Sequence, residues 1–215
     1  MSSLASSSTD REKIEQAIAT LDAQRVVLGD EVVDRAIASL RQELHSKSQN
    51  VAAQRKQATV LFADLVGFTA LTGPMDAEEV QELVNAIWDR LDSTILAHGG
   101  TIDKHIGDGL MALFGAPVAQ EDDAERAVLA GLAMQAELAA WISLRGGGNL
   151  LPDALAALHM RVGINTGAVL FGPVGSRGEI TAMGDTVNMA SRLEGAAAAG
   201  RVLIGEETWR QVSGR

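Results

Sequence analysis

At 215 residues the chain has room for one ordinary domain plus an extension, and 47% apolar with 21% charged residues is a globular profile. A net charge of −10 repels nucleic-acid phosphates and anionic lipid, yet tolerates an anionic nucleotide whose charge bound metal ions offset. No cysteine is present, which excludes disulfides, thiolate zinc sites and cysteine nucleophiles and fits a reducing compartment. Aromatics are only 3%, against base-stacking platforms for single strands. The expectation is a cytoplasmic protein with no nucleic-acid partner and no membrane insertion.

Residues 1–9 are serine-rich and polar, which predicts a disordered tail rather than a signal peptide. Residues 10–56 read as a helical segment broken at Leu28-Gly29-Asp30, with Gly29 suited to a C-cap and Asp30 to an N-cap. Val33, Ile37, Leu40, Leu44 and Val51 then follow a heptad spacing, interrupted by Lys47. That stripe fits either a helix packed on its own domain or a short coiled coil pairing two chains. Ser46 to Gln57 is polar and reads as a joint.

From 57 to 215 strand and helix patterns alternate. Ala58 to Val66 is an apolar strand holding one acid, Asp64. Asp76 with Glu79 three residues on is a capping box, and Val80, Leu83, Val84, Ile87, Trp88, Leu91 and Ile95 form one helical face ended by His98-Gly99-Gly100. Strands over 101–106 and 110–115 are joined by a Gly107-Asp108-Gly109 turn. An alanine-rich helix over about 120–144 is apolar, but Gln135 and Glu137 interrupt it, so it predicts a buried helix rather than a membrane span. After the Gly146-Gly147-Gly148 loop come a strand over 159–171, a glycine-rich turn, a short strand over 179–183, a helix over 185–197, a strand over 201–204 and a last helix from Gly205. The order βαββαβ predicts an α+β, ferredoxin-like split βαβ sheet with helices on one face.

Asp64 in so apolar a strand is costly unless something pairs with it. In this strand order the first strand and the hairpin are neighbours, so Asp64 and Asp108 can converge. Two carboxylates without a base suit Mg2+ or Mn2+ rather than zinc, and such a pair bridges two ions roughly 3.5–4 Å apart. The plainer readings are a strand-end acid and a turn aspartate. Lys104 alternates with Ile102 and Ile106, which places its ammonium on their face, either snorkelling to water or donating to a purine nitrogen. Asn188 and Arg192 are four apart on one helical face, which fits a ligand contact or a surface salt bridge.

Phe62-Ala63-Asp64-Leu65-Val66-Gly67-Phe68-Thr69 closely resembles the first metal motif of class III adenylate and guanylate cyclases. Lys104-His105-Ile106-Gly107-Asp108-Gly109-Leu110-Met111 resembles the second. The segments 161–167, opening on Arg161, and 184–192, ending on Arg192, resemble the third and fourth. Four motifs in the family's order over about 58–210 are specific where one would be weak. The resemblance implies that Asp64, Leu65 and Asp108 hold two Mg2+ or Mn2+ ions. Lys104 and Thr181 would read the base, with Arg177 and Phe68 also on the substrate. Asn188 would orient the ribose and Arg192 would meet charge on the α-phosphate.

The implied activity is conversion of ATP to 3′,5′-cyclic AMP and pyrophosphate, at sites shared across a head-to-tail homodimer. Lysine at 104 suits the adenine N1 acceptor, whereas guanylate cyclases typically carry glutamate there. Thr181 departs from the aspartate of many adenylate cyclases; its hydroxyl both accepts and donates, which loosens base choice. Family domains continue into further strands bearing a phosphate-binding lysine, so the resemblance implies that C-terminal strands are missing here. The N-terminal helices resemble those of long bacterial proteins with a fused downstream ATPase-like domain. The alternative class is a nucleotide-binding regulatory dimerisation module with little or no turnover. A guanylate cyclase is opposed by Lys104, and a diguanylate-type cyclase by the lack of its Gly-Gly-Asp/Glu-Glu-Phe signature.

Overall fold

The computed structural model describes residues 14, 16–23, 25, 29–49, 53–145, 155, 157–174 and 179–214. The tail over 1–9, Val51, the 146–148 loop, Arg177 and the side chain of Leu44 lie outside the described residues. The chain forms two compact units, one of residues 1–54 with 171–181, the other of 55–170 with 182–215.

In the first unit residues 16–23 are helical and helix α1 runs Asp30–Gln49. Gly29 sits between them at φ +82°, donating its N–H to the Arg25 carbonyl and accepting from Val33 N–H. Gly29 therefore closes one helix and opens the next, and Asp30, expected as the N-cap, is instead the first helical residue. Arg25 draws the corner together through Asp22 (2.8 Å), Asp30 (3.3 Å) and Asp34 (2.7 Å). Of the predicted heptad stripe, Val33 and Ile37 are buried and Leu40 partly so. The expected joint over 46–57 is shorter, because α1 continues to Gln49 and strand β1 begins at Gln54.

The strands are β1 (Gln54–Val66), β2 (Thr101–Ile106), β3 (Gly109–Phe114), β4 (His159–Val174), β5 (Glu179–Met183) and β6 (Val202–Ile204). The helices after β1 are α2 (Phe68–Thr72), α3 (Ala77–Ala97), α4 (Asp123–Arg145), α5 (Asp185–Ala196) and α6 (Glu206–Val212). The sheet order is β2-β3-β1-β4-β5, with β6 parallel to β4. This is the split βαβ order read from the sequence. The short helix α2 was not anticipated, because five residues carry too little periodicity to register.

Residues opposite one another in an antiparallel pair share a face. Leu61 and Ala63 of β1 lie opposite Ala112 and Leu110 of β3, and with Val162 and Ile164 of β4 they form the core under α3 and α4. The capping box at the start of α3 is complete: Asp76 Oδ1 accepts from Glu79 N–H at 2.9 Å, and Glu79 Oε2 accepts from Asp76 N–H at 3.2 Å. In composition Asp123–Leu144 is apolar enough to cross a membrane. Its face with Ala127, Ala130, Met134, Leu138 and Trp141 is instead buried in this core. The expectation of a buried helix holds for that face, while Leu129, Leu132 and Leu144 are exposed. At the end of the core Thr59, Thr166 and Thr208 are buried and joined hydroxyl to hydroxyl at 2.8 and 2.9 Å, tying β1 to β4 and α6.

The opposite face of β4 carries α5. A Cβ placed on Gly163 would stand 2.1 Å from Glu194 N and 2.4 Å from the Ala190 carbonyl oxygen. Helix and strand backbones thus touch where glycine alone leaves space. Asn165 Nδ2 donates to the Thr186 carbonyl at 3.2 Å, and Thr186 Oγ1 donates to the Ala168 carbonyl at 2.7 Å. So α3 and α4 cover one face, as expected of the βαββαβ order, and α5 sits on the other.

Two stability changes follow. Asp76→Ala is expected to cost about 1 kcal/mol, lowering Tm by roughly 2–4 °C for a chain of this size. Gly163→Ala is expected to cost about 3 kcal/mol, the upper end for overpacking, lowering Tm by roughly 6–12 °C. Thermal unfolding followed by circular dichroism measures both.

Candidate active site

Strand β1 places Val60, Phe62 and Asp64 on the face away from α3 and α4, opposite Leu113, Met111 and Gly109 of β3. Asp64 stands at the end of this pairing, beside the β2–β3 turn that presents Asp108. Leu65 N–H donates to the Asp108 carbonyl at 3.3 Å, and Asp64 Oδ1 would lie 3.5 Å from a Cβ on Gly109. The two acids predicted to converge are therefore brought to one corner of the sheet. The Leu65 side chain is buried in the helix-side core, so only its backbone can serve a ligand. Phe68 is likewise in that core at the start of α2, its ring occupied by packing.

A guanidinium, absent from the predicted site list, sits among these acids. Arg161 alternates with the core residues Met160 and Val162 and so projects from the Asp64 face. Its Nη2 donates to Asp64 Oδ2 at 2.6 Å. Its Nε stands 3.2 Å from Glu194 Oε1 of α5. That separation permits charge attraction, but the atoms are misaligned for a hydrogen bond, and both are buried without a hydrogen-bond partner. The bond to Asp64 raises Arg161 above its ordinary range; burial opposes this, and the charges of Glu194, Asp64 and Asp108 add to it. Burial pushes the Glu194 carboxyl up, Arg161 pulls it down, and the charges of Asp64 and Asp108 push it up again. Asp64, Asp108 and Glu194 are thus three carboxyl groups felt by one guanidinium.

That surplus of oxygen-borne charge around a single cation fits a divalent hard ion. Among the described residues no group of three or more His, Cys, Asp or Glu is arranged to hold a metal. Two carboxylates suit Mg2+ or Mn2+, which usually take the rest of their shell from water and phosphate.

Lys104 corrects one expectation. Ile102 lies opposite Ala112 but Lys104 opposite Met111, so β2 holds a bulge with one extra residue between them. Ile102 and Lys104 therefore face opposite ways, and simple alternation, which put them together, fails. The bulge turns Lys104 to the face of Met111, Phe62 and Asp64, partly exposed, with Nζ 3.3 Å from Asp103. Thr181 is buried in β5, in the first unit. Asn188 and Arg192 share one face of α5, as expected, and both are exposed. The inward side of that helix is taken by Thr186, Ala190 and Glu194, so neither residue meets Asp64 of its own chain. A separate cavity of about 540 Å3, lined by Asn165, Asp185, Met189, Leu193 and Arg210 among others, contains none of the convergent acids.

The model of the adenylate and guanylate cyclase catalytic domain family matches residues 51–214. Adenylate cyclase 1 of Rhizobium meliloti is 38% identical over 146 residues, which is 67% of this chain; the chain spans 21% of that relative's length. The adenylyl cyclase CyaB from P. aeruginosa superposes with TM-score 0.69 at 38% identity, covering 75% of this chain and 83% of that one. The guanylyl cyclase Cya2 superposes with TM-score 0.70 at 36% identity, covering 77% and 82%. With the family pattern matched from the start of β1 to beyond α6, the chain belongs to the adenylate and guanylate cyclase catalytic domain family.

Proposed function

We propose that the chain forms 3′,5′-cyclic AMP and pyrophosphate from ATP, with each site built from two copies of the chain. The observation that carries this is the division of site residues within one chain. Asp64 and Asp108 converge at one corner of the sheet, while Asn188 and Arg192 stand exposed on the outward side of α5, whose inward Glu194 meets that corner. A head-to-tail homodimer joins the acid half of one chain to the α5 half of the other, giving two complete sites.

Asp64, Asp108 and the Leu65 carbonyl would hold the metal ions, Mg2+ or Mn2+. Two such ions, when bound, lower the pKa of the ribose 3′-hydroxyl and carry charge on the departing pyrophosphate. Asn188 orients the ribose. Arg192 supplies positive charge where the α-phosphate gains negative charge, the contribution most costly to omit. The bond between the 3′-oxygen and the α-phosphorus forms as the bond to the pyrophosphate oxygen breaks, so no side-chain nucleophile is needed. Arg177 holds the outer phosphates. Phe68, its ring packed in the core, borders the substrate through its backbone alone.

Relatives of both base preferences share this fold, so base choice rests on particular side chains. Lys104 donates to adenine N1, where guanine presents a donor, and Thr181 accepts from the adenine amino group. The bulge in β2, by turning Lys104 away from the core, supports this role.

Incubation with Mn-ATP and separately with Mn-GTP is expected to give cyclic AMP as the dominant product. Nucleotide binding without product overturns the catalytic reading in favour of a regulatory module. Lys104→Glu is expected to lower kcat/KM for ATP roughly 10–150-fold, the value of one charged hydrogen bond, and to improve use of GTP. Asp64→Asn and Asn188→Ala chains are each expected to be inactive. An equal mixture should recover about a quarter of wild-type activity, since half the dimers are mixed and each has one intact site. A mixture that stays inactive although mixed dimers are found by native mass spectrometry refutes the shared site.

A further inference from the structure

We propose that Arg161 is a displaceable counter-ion: it neutralises Asp64 while no metal is bound, and moves wholly onto Glu194 when a divalent cation takes its place. The inference rests on the metal role of Asp64 and Asp108 given above and adds two residues to it.

Arg161 Nη2 is bonded to Asp64 Oδ2 at 2.6 Å, at an oxygen of a proposed metal ligand. A guanidinium and a divalent cation cannot share that position, because their charges repel strongly at such separations. Arg161 must therefore have somewhere else to go, and the structure holds a second acceptor beside it. Glu194 Oε1 is buried, lacks a hydrogen-bond partner and stands 3.2 Å from Arg161 Nε, which is unpartnered in the same way. A buried acceptor and a buried donor left misaligned at this distance are an unmade charge-assisted bond. A small rotation of the arginine completes it, and the planar guanidinium can then meet the carboxylate with two donors.

The chain Asp64–Arg161–Glu194 also spans from β1 through β4 to α5, the helix that bears Asn188 and Arg192. Metal entry at one half-site therefore pulls on the helix that serves the other. Arg161 and Glu194 act through Asp64 and through α5, and so are positioning residues.

The test is Mn2+ affinity of the 215-residue chain without nucleotide, measured by titration calorimetry and by loss of the free-ion electron paramagnetic resonance signal. Arg161→Gln removes the competitor and is expected to tighten Mn2+ roughly tenfold, the scale of changes made beside metal ligands. Glu194→Gln removes the alternative acceptor, holds Arg161 on Asp64 and is expected to weaken Mn2+ roughly tenfold. The double variant should bind Mn2+ more tightly than Glu194→Gln, because without the arginine only the direct charge of Glu194 on the two acids is left to lose. Weaker or unchanged binding in Arg161→Gln overturns the proposal, as the arginine would then be a plain structural brace. Unchanged or tighter binding in Glu194→Gln also overturns it, and this isosteric variant decides alone should Arg161→Gln fail to fold by circular dichroism. Asp64→Asn separates the two readings: if it keeps wild-type Mn2+ affinity, the metal role of Asp64 falls, whatever the arginine does.

Discussion

One guanidinium held among three carboxyl groups organises this end of the sheet. Arg161 reaches Asp64 on β1 and Glu194 on α5 from a position on β4, so three elements distant in sequence meet at one side chain. Remove that cation and Asp64, Asp108 and Glu194 repel one another across a partly buried corner. The ion pairs are half-shielded rather than exposed, with 27% of the Asp64 and 15% of the Glu194 side chain accessible, so solvent screening weakens them less than a surface pair. The close seating of α5 on Gly163 supports the arrangement, because it brings Glu194 within reach of β4.

The architecture separates two tasks by face. The side of the sheet under α3 and α4 is apolar and closed, with the three linked threonine hydroxyls at its end. The other side carries Asp64, Lys104 and Arg161 and is covered over β4 by α5. Strand alternation makes this possible: along β1 and β4 core residues such as Ala63 and Val162 alternate with residues of the other face such as Asp64 and Arg161. Leu65 shows the limit of that economy, since its side chain belongs to the core while its backbone N–H bonds the Asp108 carbonyl.

The fold was legible because its signals are local and periodic. The Asp76 and Glu79 capping box, the glycine-flanked turn at Asp108 and the apolar stripe from Leu83 to Ile95 each specify a boundary or a face within a few residues. The convergence of Asp64 with Asp108 was legible because the strand order makes β1 and β3 neighbours. The bulge before Lys104 was not, since an extra residue in one strand shows only against its partner's register. Arg161 and Glu194 were missed for a related reason. Each lies in a segment quoted or adjacent to one quoted for other residues, and their pairing spans 33 positions with no local pattern. A signal existed: Glu194 follows the buried Ala190 by four, which puts an acid on the inward side of its helix, where one needs a partner.

The extra residue in β2 bears on how such a domain can change over evolutionary time. Because it turns Lys104 out of the hydrophobic interior, the side chain at 104 can be exchanged without repacking anything beneath it. On the base-reading role proposed for Lys104, substrate preference is thereby uncoupled from folding, and single substitutions at this position change it while leaving the scaffold intact. One structure named for each base, at 38% and 36% identity to this chain, superposes on the same fold.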